Sequence, residues 1–238
     1  MCGRFALTDN EAALMAFLGF GEGGFGEGVA VAPRYNIAPT QPIAILRGDG
    51  TGAGSGARHF TFARWGLVPA WVEDPGAFSL IINARSDGVL EKPAFRNAMR
   101  YRRCIVPASG FYEWKRQGRH KQPYWIKPRA GGPIGFAGLW ETWADRDGGE
   151  IDSACIITVD ANGTVRPIHD RMPAILAPAD FQAWLTAADP EEAAALLRPA
   201  PEDLLEAIQV SDRVNRAEPD DPGLIAPVTP LRNDLFDA

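Results

Sequence analysis

The chain has 238 residues, 46% of them hydrophobic and 23% charged, ordinary values for a globular protein with one sizeable core or at most two small domains. No apolar run approaches the roughly 18 residues of a membrane span. The three cysteines and three scattered histidines exclude a disulfide scaffold and give no zinc-ligand spacing. The net charge of −6 hides an asymmetry: residues 1–130 hold 17 Lys and Arg against 10 Asp and Glu, while residues 131–238 hold 7 against 20. The first half is therefore suited to meet an anion, such as a nucleic-acid backbone, while the second faces away.

The amino terminus, MCGRFALTDNEAALMAFLGF, has no basic stretch leading into a long apolar block, so no signal peptide is read and a cytoplasmic location is expected. Thr8-Asp9-Asn10-Glu11 has the form of a capping box and predicts a helix starting at Thr8 and running into AALMAFL. Residues 19–28 and 48–57 are glycine-rich. The first lacks the Lys-Ser/Thr of a phosphate-cradling loop, and the second reads as a mobile connection between the strands PIAILR and FTFARWGLV. The runs FSLIINAR, RCIVPASGFYEW, QPYWIKP, IGFAGLWETW and ACIITVDA follow as further strands. Helices are predicted over PAFRNAMRY, over PADFQAWLTAA with Pro in its first turn, and over DPEEAAALL with an Asp cap. The expected fold is α+β: one mixed domain with a β-rich core and peripheral helices. A proline-rich extension then runs over residues 217–238.

Chemistry is suggested first at the amino terminus. Trimming Met1 before a small residue would leave Cys2 with a free α-amine beside its thiol, a 1,2-aminothiol. Such an amine ordinarily titrates near about 8 and such a thiol near about 8.5, so both are nucleophilic near neutral pH. The pair condenses with an aldehyde: the amine forms a Schiff base and the thiol closes a five-membered thiazolidine. Cys104 and Cys155 lie in apolar strand runs and read as small buried hydrophobes. Polar residues inside other apolar runs need a partner or a function: Asn83 and Arg85 after LII, Glu113 between aromatics in GFYEW, and His169 in IHDRMP. Burial by Phe111, Tyr112 and Trp114 would favour a protonated Glu113, suited to act as an acid.

The ordered set MCGRF, RYNIAPTQ, RWGLVPAW, INARSD, RCIVPASGFYEW, FAGLW, IHDRMPAIL and VSDRVNR resembles the SOS-response-associated peptidase (SRAP) family from residue 2 to about residue 216. The resemblance implies a single domain over residues 2–216 with a β-barrel-like, mixed or antiparallel core and peripheral helices, a positively charged DNA channel and a thiazolidine crosslink to abasic sites in single-stranded DNA. By the same resemblance Cys2 is the crosslinking residue, with Asn83, Glu113 and His169 beside it. Arg4 and Arg85 match arginines that contact the DNA backbone, and Trp71 and Trp114 match aromatics near exposed bases. Asn36 and Pro39 fall in a motif bordering the pocket. No metal, cofactor or membrane partner is implied, and a monomer is expected. INARSD departs from the acidic INARxE form: Asp87 is one carbon shorter, which shortens the reach of any ion pair made there. Two other readings fit part of the pattern. A cysteine peptidase would use Cys2 and His169 on other substrates, and a non-covalent single-strand binder would use the basic half and the tryptophans.

Overall fold

The computed structural model describes residues 2–21, 24–25, 30–48 and 57–228; Met1, parts of both glycine-rich stretches and the end of the proline-rich extension lie outside it. The expected mobile connection between PIAILR and FTFARWGLV falls almost wholly among these undescribed residues. The chain forms β1 (Phe5–Leu7), α1 (Glu11–Leu18), β2 (Arg34–Ile37), β3 (Pro42–Gly48), β4 (Arg58–Trp65) and β5 (Asn83–Arg85). After α2 (Arg96–Tyr101) come β6 (Arg103–Ala108), β7 (Gly110–Gln117), β8 (His120–Pro128), β9 (Ile134–Ala144) and β10 (Glu150–Asp160). The remainder is β11 (Arg171–Pro173), β12 (Ile175–Leu176), α3 (Phe181–Thr186), α4 (Pro190–Ala194) and β13 (Leu205–Gln209).

Five strands close on themselves in the order β10, β4, β3, β6, β9 and back to β10. A ring with an odd number of strands cannot be antiparallel throughout. The β4–β10 pair is parallel and the other four pairs are antiparallel. This is the mixed, barrel-like core with peripheral helices that the family resemblance implies. A second, five-stranded sheet runs β13–β8–β7–β1–β2.

The period-2 alternation of that second sheet divides its side chains between two cores. Phe5, Leu7, Phe111, Ile126 and Leu205 join the barrel cluster, where Phe5 packs edge-on against Trp65 at 5.1 Å and Phe136 at 6.0 Å. Ala6, Tyr112 and Trp125 point the other way, into a smaller cluster with Val210, Val214 and Leu224. Residues 211–228 thus lie as a strap over the outer face of the sheet: Leu224 is fully buried, and the Val228 N–H donates to Gln209 O at 3.0 Å.

Four local expectations change. Of the expected strand FSLIINAR only Asn83–Arg85 forms a strand. The capping box is not used: Asn10 is the cap, its Oδ1 accepting from the Ala13 N–H at 2.9 Å, and α1 begins at Glu11. The Thr8 and Asp9 N–H groups instead donate to Ser109 Oγ, tying the end of β1 to the β6–β7 turn. RCIVPASGFYEW is not one strand but two, β6 in the barrel and β7 in the second sheet, because the chain turns at Ser109 and Gly110. Finally, the glycine-rich stretch at 19–28, to which the sequence assigns no helix, strand or phosphate-binding role, sends Phe25 inward to stack on Phe60 with centroids 3.9 Å apart. The other helices form where expected, with Asp189 capping α4 through the Glu191 N–H.

Candidate functional site

Strand β1 brings the amino terminus to the site. Its antiparallel register with β7 pairs Phe5 with Phe111, and the Tyr112 N–H donates to Arg4 O at 2.9 Å. Continuing that register runs Cys2 and Gly3 alongside Glu113 and Trp114. Asn83, at the start of β5, donates from Nδ2 to Cys2 O at 2.8 Å. Its Oδ1 is buried and has no hydrogen-bond partner among the described residues. β5 is held there by parallel pairing to β10, with Asn83 opposite Ile156.

His169 arrives from the other end of β10. Residues 161–170 make a compact excursion before β11 returns to pair with β10. Asn162 holds that excursion: its Oδ1 accepts the Val165 N–H, and its Nδ2 donates to Ala200 O and Pro201 O. His169 Nδ1 accepts the Arg171 N–H at 3.0 Å and lies 2.9 Å from Asp170 Oδ1. Nδ1 cannot accept and donate at once. Arg171 is nearly buried and its amide needs an acceptor, whereas the Asp170 side chain is 87% exposed and hydrated. The hydrogen-bond pattern therefore assigns the ring proton to Nε2.

Burial sets the electrostatics. Cys2 is fully buried, which pushes its thiol far above the usual range, and the neighbouring Glu113 carboxylate pushes it further. Glu113 is 2% exposed, and burial raises its carboxyl pKa; the His169 imidazole acts in the opposite direction. The structure thus brings Cys2, Asn83, Glu113 and His169 together from four separate parts of the chain. A cleft of about 680 Å³ opens onto the Glu113 and His169 side of this cluster, walled by these two and by Trp114, Arg116, Lys121 and Asn215 among others. Among the described residues no group of three or more His, Cys, Asp or Glu is arranged to hold a metal ion.

The other expected site residues sit around this centre in different ways. Trp114 lines the cleft, with its Nε1–H tied to Asn215 Oδ1 at 2.7 Å. Arg4 is half-buried: Nη1 reaches Asn36 Oδ1 at 2.6 Å and Val214 O at 2.8 Å. Asn36 is 1% exposed and spends its remaining donors on Arg216 O and Pro219 O, so it anchors the strap. Pro39 is half-buried in the turn after β2. Arg85 is exposed and makes a two-pronged ion pair with Asp87, at 3.1 and 2.9 Å, so the shorter acid does reach its partner. Trp71 is 59% exposed and packs edge-on against Phe78, away from the cleft lining. Arg116, Lys121 and Asn215 were not singled out from the sequence. The basic run KRQGRHK was the available signal for the first two, but only the β7–β8 pairing places them at the cleft.

Known proteins resemble this chain along most of its length. The abasic site processing protein YoqW of Bacillus subtilis is 38% identical over 234 residues, covering 94% of this chain and 99% of the relative. The abasic site processing protein YoaM of the same organism is 38% identical over 224 residues, 90% of this chain and 93% of its own. A solved structure from Bacteroides thetaiotaomicron superposes with a TM-score of 0.82 at 26% identity, covering 96% of this chain and all of the other. The family model described as SOS response associated peptidase (SRAP) matches residues 1–217, and the chain belongs to that family.

Proposed function

We propose that this protein processes abasic sites in single-stranded DNA by trapping them covalently on Cys2 after Met1 is removed. The observation that carries the reading is the convergence of Cys2, Asn83, Glu113 and His169 at the end of a cleft that also offers cations and a tryptophan. The names of the similar proteins support the substrate class.

While Met1 is attached, the Cys2 nitrogen is an amide whose lone pair is delocalised into the carbonyl, and it cannot form a Schiff base. Hydrolysis of the Met1–Cys2 bond releases methionine and leaves a primary amine. That amine attacks C1′ of the ring-opened sugar aldehyde and, with loss of one water, gives an imine. The thiol then adds across the C=N bond, sulfur to C1′ and the proton to nitrogen, closing the thiazolidine. Glu113, held as an acid by burial, supplies the proton that opens the sugar ring and that departs with water. Glu113 recovers the proton from the amine nitrogen as the imine forms, and the His169 Nε2–H donates a hydrogen bond that steadies the carboxylate while it lacks the proton. Asn83 fixes the Cys2 backbone through Nδ2 and keeps Oδ1 for the new amine or a sugar hydroxyl. Arg4 and Arg85 flank the site as cations for the backbone, and the bases stack on Trp114 or Trp71 with little sequence preference. The protein acts as a monomer with no metal or cofactor.

The experiment is to mix the protein with a single strand bearing one abasic site and read the adduct by denaturing gel and intact mass. The expected mass is the chain without Met1, plus DNA, minus one water. Cys2→Ala should give no heat-resistant adduct, whereas Cys104→Ala and Cys155→Ala should react normally if folded. A heat-resistant adduct from Cys2→Ala, or from a chain with an uncleavable residue ahead of Cys2, would overturn the mechanism.

A further inference from the structure

Arg116 on β7 and Lys121 on β8 are directly opposite each other in the antiparallel register, and both line the cleft that ends at Glu113 and His169. Like charges placed opposite across a pair of strands repel and destabilise the hairpin. Neither cation has an acidic partner among the described residues. The cleft's own acids lie at its other end, Asp170 against His169 and Glu113 within electrostatic reach of it. By contrast Lys127, farther along β8, is neutralised by Glu206 at 2.7 Å. The repulsion between Arg116 and Lys121 is thus left uncompensated at a surface open to ligand.

Their position gives the pair a purpose. Tyr112, Trp114 and Arg116 share one face of β7, because side chains alternate along a strand. Arg116 therefore stands one pleat beyond Trp114, about 6.6 Å along the strand. The Trp114 indole is held by Asn215, which fixes the plane of its ring at the cleft wall. A base stacked on that ring would have its backbone running toward the two cations.

We propose that Arg116 and Lys121 form a phosphate clamp that grips the strand beside the lesion, next to the base stacked on Trp114. This rests on the reading of the cleft as a site for abasic single-stranded DNA and names the residues that hold the strand's backbone there. The clamp acts on binding and leaves the chemistry at C1′ untouched.

The test uses the full chain and a single strand carrying tetrahydrofuran in place of one nucleotide, an abasic analogue with no aldehyde. Affinity is measured across a series of KCl concentrations for wild type, the double variant Arg116→Gln/Lys121→Gln, each single variant and Lys127→Gln. Each phosphate contact to a single strand contributes about 0.7 to the slope of log affinity against log salt. The double variant should therefore flatten the slope by about 1.4, so that wild type loses about sevenfold more affinity than the variant between 50 and 200 mM salt. Each single variant should give about half that flattening, and Lys127→Gln none. The double variant should need more aldehyde-bearing DNA than wild type to reach half its maximal crosslinking rate. Both side chains are exposed, so these changes leave the core intact, and circular dichroism checks it. A double variant with the wild-type slope, in a protein that does crosslink, overturns the clamp. A wild-type protein that forms no heat-resistant adduct overturns the covalent reading instead. If the slope still flattens in that case, the clamp stands as a strand contact without the chemistry.

Discussion

Glu113 is placed against its own stability. A carboxyl group at 2% exposure, flanked by Phe111, Tyr112 and Trp114, is held above its ordinary pKa mainly by loss of water. The folded state therefore binds the proton more tightly than the unfolded chain does. The stability contributed by that proton is fully present below the ordinary carboxylate pKa and is lost as pH rises through the folded value. Burial thus makes Glu113 hold its proton more tightly than a free glutamate does, and makes the carboxylate costly. Glu113→Gln removes the ionisation and keeps the shape. It should raise the urea midpoint relative to wild type at pH 8, with the gap narrowing toward pH 5. It should also slow crosslinking by about 10²–10⁴-fold, the usual worth of a general acid. A midpoint gap that is the same at both pH values would show that the carboxylate is not strained by burial. The same residue shows why the site was only partly legible in the sequence. A Glu among aromatics announces a buried carboxyl, but nothing in the local pattern says that Cys2, 111 residues earlier, lies next to it. The family motifs supplied that link, and the β1–β7 register supplies its physical basis.

The strands that sequence patterning found are the long ones: β3, β4, β8, β9 and β10 each sustain 7 to 11 residues. Of the strands of 2 to 5 residues, β1, β2, β11, β12 and β13 are too short to carry a period and were not read, and the run FSLIINAR, read as a strand, gives only the three-residue β5. The run from Arg103 to Trp114 misled differently, because β6 is buried at every position and β7 follows after one residue, so no change of pattern marks the switch of sheets. What enforces the switch is close packing at Gly110. A Cβ there would come within 2.5 Å of Ile126 O and 2.7 Å of the Trp125 ring. Backbone and a buried indole cannot retreat, so Gly110→Ala must push β7 off β8. The expected cost is about 1–3 kcal/mol, as for overpacking elsewhere, and it should appear as a lower denaturation midpoint. Because β7 carries Glu113 and Trp114, the variant should also crosslink more slowly. Gly118, at the hairpin tip, has a positive φ of 61° but open space around it, so any effect of Gly118→Ala should come from backbone strain and leave the position of Glu113 unchanged. Equal midpoints for Gly110→Ala and wild type would remove close packing as the reason for the split.

At the scale of the whole molecule, the second sheet is covered on both faces: by the barrel on one side and by residues 211–228 on the other. The family match ends at residue 217, and sequence composition placed a boundary at 216, yet the packing runs on. Asp220 Oδ1 accepts the N–H groups of Tyr35 and Asn36, at 2.5 and 3.1 Å, on the edge strand β2. Pro219 O receives the buried Asn36 amide at 2.7 Å, and Leu224 fills the smaller core. A chain ending at Arg216 would lose the Leu224 side chain, worth about 1.5–3 kcal/mol of burial. It would also leave an Asn36 donor without its partner, at about 1–3 kcal/mol. Such terms are not additive, and a net loss of about 3 kcal/mol is a reasonable expectation; for a domain of this size that corresponds to about 6–12 °C in melting temperature. The site should suffer with it. Arg4 is held by Asn36 and by the carbonyls of Val214 and Arg216, and Trp114 by Asn215, so loosening the strap loosens two residues beside Cys2. The truncated chain should therefore melt lower and also bind the abasic analogue more weakly. Leu224→Ala in the full chain should reproduce the melting change, by about 2–5 kcal/mol, with Asn215 and Arg216 still present. If the chain ending at Arg216 melts and binds as the full chain does, residues beyond 216 are an appendage after all, and the smaller core is stable without them.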